Sequence, residues 1–87
     1  MQVKISNHEK LRNFISEITF TENEKIKDDT LLFEEGIFDS LGFLSLISFL
    51  NDEFGIEVDN TELNEENFES IKAVVEFIAK KKQFLEN

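Results

Sequence analysis

Gly36-Ile37-Phe38-Asp39-Ser40-Leu41-Gly42-Phe43-Leu44-Ser45-Leu46-Ile47-Ser48-Phe49-Leu50-Asn51-Asp52-Glu53-Phe54-Gly55 is the stretch on which the fold turns. Its spacing predicts a helix that starts at Ser40 and runs to about Phe54. At 100° per residue, Phe43, Leu46, Ile47, Leu50 and Phe54 fall on one face and should point inward. Leu41, Leu44, Ser45, Ser48 and Asp52 fall on roughly the other side. Gly55, tolerant of positive φ, should end the helix. Single exposed leucines are common on protein surfaces, but two on one solvent-facing stripe ask for an account.

Upstream, Ser6 and Glu9 have the spacing of a capping box, in which hydroxyl and carboxylate each take a backbone N–H. Leu11, Phe14, Ile15 and Ile18 then recur at three- and four-residue steps, giving a first helix that fades near Phe20. Thr21 to Glu35 reads as a polar connection with apolar patches at Ile26 and Leu31-Leu32-Phe33. It is longer than the usual limit of about 12–15 residues, a length often tied to function. Downstream, Ile56-Glu57-Val58 alternates but is too short to build a sheet. Asn64 to Phe68 reads as one helical turn. Ser70 can cap a last helix with Ile71, Val74, Val75 and Ile78 as its stripe, and Lys80, Lys81 and Lys82 near its negative pole. The expected fold is all-α, a small bundle of three main helices plus one short helix, with a long loop between the first and second.

The 87 residues are room for one domain, 1–87. Leu, Ile, Val and Phe supply its core, and all the aromatics are Phe, which needs no polar partner when buried. The absence of Cys excludes disulfides, cysteine-ligated zinc and a cysteine nucleophile. No apolar run approaches the roughly 18–20 residues that cross a bilayer. Met1-Gln2-Val3-Lys4 lacks the apolar stretch of a signal peptide. A soluble, cytoplasmic, monomeric protein is therefore expected.

Charge is distributed unevenly. The net charge is −10, and the interval between Lys27 and Lys72 holds thirteen Asp or Glu with no Lys or Arg. Nucleic acids are displaced from the list of partners, because binding them needs clustered cations. Anionic membranes are disfavoured for the same reason. Such a surface keeps a small protein in solution, and it also steers the chain toward basic patches on other proteins.

The catalytic inventory is thin. His8 is the only histidine and lies within the first helix, where a solvated role is expected. No G-x-x-x-x-G-K-S/T loop or G-x-G-x-x-G turn is present. Placing Gly36 or Gly55 at the glycine of a calcium loop puts Leu31 or Leu50 where a carboxylate is required. Acid pairs such as Glu34-Glu35 have no pocket around them. The chain reads as a non-enzyme.

Ser40 stands apart. It lies where a loop becomes a helix, so its hydroxyl should be exposed, with the helix's first N–H groups and positive pole turned toward any anion held there. Asp39 or Ser40 can equally serve as a helix cap, and capping is compatible with attachment. Ser45 and Ser48 lie mid-helix, away from that pole.

Asp39-Ser40-Leu41 resembles the D-S-L motif of acyl carrier proteins, whose serine bears 4′-phosphopantetheine. Phe54-Gly55-Ile56-Glu57-Val58 is similar to the F-x-x-x-I that closes the family's second helix. Asn67-Phe68-Glu69-Ser70-Ile71 is similar to its N-F-x-T/S-I entry to the last helix. With the opening helix and long loop, the resemblance covers nearly the whole chain in order. It implies that Ser40 is the attachment site and that Asp39 helps a phosphopantetheinyl transferase position magnesium and coenzyme A. It also implies that Leu41 and Leu44, with Ser45, Ser48 and Asp52 on the same stripe, meet partner enzymes that load or transfer acyl or aminoacyl groups. The cofactor's thiol would supply the nucleophile that a Cys-free chain lacks and hold cargo as a thioester. Many fatty-acid-synthesis carriers place acids where Gly42 and Ser45 stand here. Leu32-Phe33-Glu34-Glu35-Gly36 and the Gly36-x-x-Asp39 spacing look more like D-alanyl and other aminoacyl carriers. A specialised pathway is therefore expected rather than housekeeping fatty acid synthesis. The alternative is an unmodified acidic helical module that binds a basic protein. A hydrolase with Ser40 as nucleophile would need His8 as its base.

Overall fold

The computed structural model describes residues 5–86, with side chains as far as Gln83. The reading of Met1-Gln2-Val3-Lys4 falls outside the described residues. Four α-helices form among those described, α1 (Asn7–Thr19), α2 (Ser40–Phe54), α3 (Glu65–Phe68) and α4 (Ile71–Glu86), with 3-10 turns at Asn23–Lys25 and Asn60–Glu62. No strand appears among them, so the all-helical bundle of three main helices and one short one is the architecture found.

Helix α1 begins where Ser6 accepts the Glu9 amide at 3.2 Å. Only half of the expected capping box is made, because the Glu9 carboxylate is taken by the Arg12 guanidinium. The helix ends at Phe20, which sits in left-handed backbone at φ 56°. Its apolar stripe buries Leu11 and Ile15 against α2 and α4, and Phe14 stacks flat on Phe49 with ring centroids 4.0 Å apart.

The long connection is tied down rather than loose. Ile26, Leu32 and Phe38 are buried in the core. The Leu32 carbonyl accepts the amides of Ile37 and Phe38, and the Leu32 amide donates to the Glu69 carbonyl at 2.7 Å. Farther up, the Lys72 amide donates to the Asp28 carbonyl, while Arg12 Nε reaches the Ile26 carbonyl at 2.7 Å. These ties run from the loop to α1 and to the start of α4, and so fix where the loop delivers the chain into α2.

Helix α2 buries Leu46 and Leu50 fully, whereas Phe43, Ile47 and Phe54 are half-buried. The inward face is thus broader and shallower than the five-residue stripe implied, and Phe49 joins it through Phe14 and Phe54. Gly55 closes the helix at φ 66°, with its amide shared between the Asn51 and Leu50 carbonyls. Asn64 caps α3 by accepting the Asn67 amide, and Ser70 accepts the Ala73 amide at the head of α4. Helix α4 runs past Lys82 to Glu86, so the three lysines lie on its body and not at its last carbonyls. Lys81 bends instead to Glu62 at 3.0 Å.

Candidate functional site

Ser40 is the first residue of α2 and is exposed. Its hydroxyl has no hydrogen-bond partner among the described residues, so it is free to be approached from solvent. The residue before it does the capping: Asp39 Oδ1 accepts the Gly42 amide at 2.9 Å. The Asp39 carbonyl accepts the Phe43 amide at 3.0 Å, which starts the helical ladder. One carboxylate oxygen is thereby committed to the helix end, and the exposed side chain leaves the other to solvent.

This placement follows from the residues behind it. Phe38 is only 5% exposed and anchors the end of the loop, with its ring edge-on to Phe33 at 5.7 Å. Gly42 lies against that anchor. A Cβ at position 42 would sit 3.1 Å from Phe38 Cδ1 and 3.5 Å from Asp39 Oδ1. The Phe38 ring would have to give by a few tenths of an ångström, while the approach to Asp39 is ordinary contact, so the close anchor is a physical reason for glycine at a position the resemblance associates with acids. The backbone N–H groups at the head of a helix carry partial positive charge, so an ester phosphate on Ser40 Oγ would meet a favourable field.

Two open clefts lie near the head of α2, one of them bordered by Ser40 itself. One, of about 320 Å³, is bordered by Ser40, Asp39, Phe33, Phe43, Leu63 and Asn64. The other, of about 340 Å³, lies toward the end of α1, between Ile18 and Thr19 on one side and Ile37, Leu41 and Ser45 on the other. Leu41 is 74% exposed and Leu44 61% exposed. Ser45, Ser48 and Asp52 are exposed as well, so all five stripe residues share the free side of the helix that Ser40 begins. Leu63, beyond the stripe, is 41% exposed and borders the same cleft as Ser40. Phe20, at the end of α1, is 95% exposed. Neither was legible from periodicity, because both sit in turns where no helical register applies.

Of the thirteen acids between Lys27 and Lys72, three have cationic partners among the described residues: Asp28 with Arg12, Glu53 with Lys10, and Glu62 with Lys81. The carboxyl of Glu62 is held below its ordinary value chiefly by the Asp59 amide, which donates to it at 2.9 Å, and further by Lys81, against an opposing effect of burial. No group of three or more His, Cys, Asp or Glu among the described residues is arranged to hold a metal ion. No helix among them is long and apolar enough to cross a membrane.

Known proteins supply the last observation. No curated protein matches the chain. A chain from a crystal structure of an FAD-dependent dehydrogenase is similar in fold, with a TM-score of 0.71 and 26% identity. The similarity covers 78% of this chain and 97% of that one. Residues 9–78 match the family described as the phosphopantetheine attachment site, a span that takes in most of α1, the loop, Ser40 and the first half of α4. With an all-helical bundle and a free serine hydroxyl at the head of its second helix, the chain belongs to the phosphopantetheine-binding carrier proteins, whose cofactor is covalently attached 4′-phosphopantetheine.

Proposed function

We propose that this chain is a single-domain carrier that bears 4′-phosphopantetheine on Ser40 and delivers acyl or aminoacyl groups to partner enzymes in a specialised pathway. The observation that carries the reading is the exposed, unbonded Ser40 hydroxyl on the first turn of α2, next to a capping Asp39. In the modification, Ser40 Oγ forms a phosphoester with the pantetheine phosphate of coenzyme A. The nucleotide half leaves, and the hydroxyl proton passes to the transferase. The free oxygen of Asp39 is available to a magnesium ion shared with that enzyme, while Oδ1 keeps the helix capped. Once attached, the arm's terminal thiol supplies the thioester linkage that a chain without cysteine cannot make.

The chain's own work is display and docking. Leu41 and Leu44 offer apolar contact beside the anchor, and Ser45, Ser48 and Asp52 extend the stripe along α2. Burying the two leucines against an enzyme favours docking by roughly 25 cal/mol per Å² of apolar surface covered, with the acidic surroundings steering basic patches into place. Tethering then keeps cargo at a high effective concentration at each docked active site. The likeness to a chain solved in an FAD-dependent dehydrogenase structure makes flavin-dependent oxidation one chemistry to try on the loaded cargo. The reading is tested by loading. Ser40→Ala should abolish modification, whereas Leu44→Asp should leave modification of Ser40 in place and weaken later transfer. Hydroxylamine release of the native thioester, followed by mass identification, names the cargo.

A further inference from the structure

The cleft that Ser40 borders, of about 320 Å³, has a wall outside α2. Leu63 and Asn64 form it, in the link between the Asn60–Glu62 turn and α3. The other cleft at the head of α2 is bordered by Leu41, so each of the two carries one leucine open to solvent. Leu41 is held by the ladder of a 15-residue helix. Leu63 belongs to no helix, and something else must fix it.

A polar knot centred on Glu62 does so. Its Oε1 accepts the Asp59 amide at 2.9 Å and the Lys81 ammonium at 3.0 Å. Its carbonyl accepts the Asn64 amide at 2.9 Å and the Asn67 side-chain amide at 3.0 Å. The Leu63 amide donates to the Asn60 carbonyl at 3.2 Å. Both charged side chains are mostly shielded from water. The Lys81 ammonium also lies 6.0 Å from the ring centroid of Phe77, a core residue. Lys81 thus ties the link to α4 by a charge-assisted bond, the stronger kind, in a place where salt screens it little.

The same pairing sets the charge around the cleft. With Lys81 drawn onto Glu62, Asp39 and Glu65 at its edge have no cation within salt-bridge reach among the described residues. A leucine held open between unpaired carboxylates is complementary to an enzyme surface that offers an apolar pocket rimmed by Lys or Arg.

We propose that Leu63 is a docking contact for the enzyme that modifies Ser40, and that Glu62 and Lys81 are positioning residues that hold it beside that serine. The inference rests on Ser40 as the site of modification.

The test is the rate of phosphopantetheinyl transfer to the full chain by a broad-specificity transferase, with coenzyme A and magnesium, over a range of carrier concentrations. Leu63→Ser should raise KM for the carrier roughly tenfold, the scale of one apolar side chain left unburied, with kcat nearly unchanged. Leu63→Met should restore KM. Should Leu63→Ser melt too low to assay, Leu63→Ala reads the same effect. Lys81→Met should raise KM about threefold in the wild-type background and not at all in Leu63→Ser, because the lysine acts through the leucine. Loss of a cation by itself would do the reverse, since a more acidic carrier is drawn more strongly to a basic enzyme. An unchanged KM in Leu63→Ser, or a Lys81→Met effect of equal size in both backgrounds, overturns the inference and leaves Ser40 as the site. So does a wild type that dimerises and becomes monomeric in Leu63→Ser, which would give the leucine to a second copy of the chain. A wild type that gains no mass refutes the Ser40 reading itself and takes the inference with it.

Discussion

The Asp39 carboxylate accepts the Gly42 amide at 2.9 Å, so the residue that precedes Ser40 holds together the helix end that displays it. The proposed function gives the same side chain a second duty, toward a metal ion, and the two can be separated. Asp39→Ala removes the cap and should destabilise the fold by about 1 kcal/mol, a fall of roughly 4–8 °C in melting temperature for a domain this small. Asp39→Asn keeps an oxygen for the Gly42 amide and should melt near the wild type, yet slow modification by an order of magnitude or more if the carboxylate assists a metal ion. Melting curves and the rate of mass gain, taken on the same samples, check both halves.

Leu41 and Leu44 are three-quarters and nearly two-thirds exposed, so polar replacements remove no core packing. Leu44→Asp should leave stability within about 0.5 kcal/mol and weaken transfer of cargo by a partner enzyme. Set beside it, Ser40→Ala separates a carrier from an unmodified acidic binding module. In a carrier, Ser40→Ala and Leu44→Asp both impair function, the first at loading and the second at docking. In a simple binding module, Ser40→Ala leaves partner binding and function intact.

Arg12 ties α1 to the long connection through the Ile26 carbonyl, and it also meets Glu9 and Asp28. Its side chain is largely shielded from water. Arg12→Ala should destabilise the fold by about 1–3 kcal/mol, mostly from the Ile26 carbonyl left without its partner. Lys at this position cannot reproduce the planar fork and should recover only part of the loss. Chemical denaturation of the three proteins measures the difference.

Much of this architecture is legible in the residues themselves. Gly55 stops α2 where positive φ is needed, Ser70 caps α4, and the D-S-L junction stands at the head of a helix. The resemblance carried by Asp39-Ser40-Leu41 reaches the same family as the match over residues 9–78. What could not be read locally was tertiary. Thr21 to Glu35 looks like a polar loop until Leu32 pairs with Glu69 and Asp28 with Lys72, because hydrogen bonds across more than thirty residues leave no periodic trace. The half-made capping box has the same origin, since Arg12 competes for Glu9. Helix α4 runs beyond its lysines to Glu86, and Lys81 pairs with Glu62 across the bundle, a partner that local spacing does not reveal.

Stability should depend on pH through Glu62. Its folded-state carboxyl lies below its unfolded value near 4.5, so the stabilisation is complete above that value. It is lost as pH falls through the lower, folded value. Glu62→Gln should therefore lower the melting temperature at neutral pH, and the gap from wild type should shrink steadily from about pH 5 downward. A gap that widens on acidification would contradict the sign.

The unpaired acids set a second dependence. Ten of the thirteen carboxylates between Lys27 and Lys72 have no cation within salt-bridge reach among the described residues, since only Asp28, Glu53 and Glu62 are paired. Screening their repulsion with salt or a divalent cation should raise the melting temperature. A flat or falling trend across a sodium chloride titration would count against that picture.

The most direct measurement is the intact mass of apo-protein after incubation with coenzyme A, magnesium and a broad-specificity transferase, run beside Ser40→Ala. Gain of a single phosphopantetheinyl group by the wild type and none by the variant is the expected result. A wild-type protein that stays bare, or a variant that gains the same mass through Ser45 or Ser48, would contradict the assignment of the arm to Ser40.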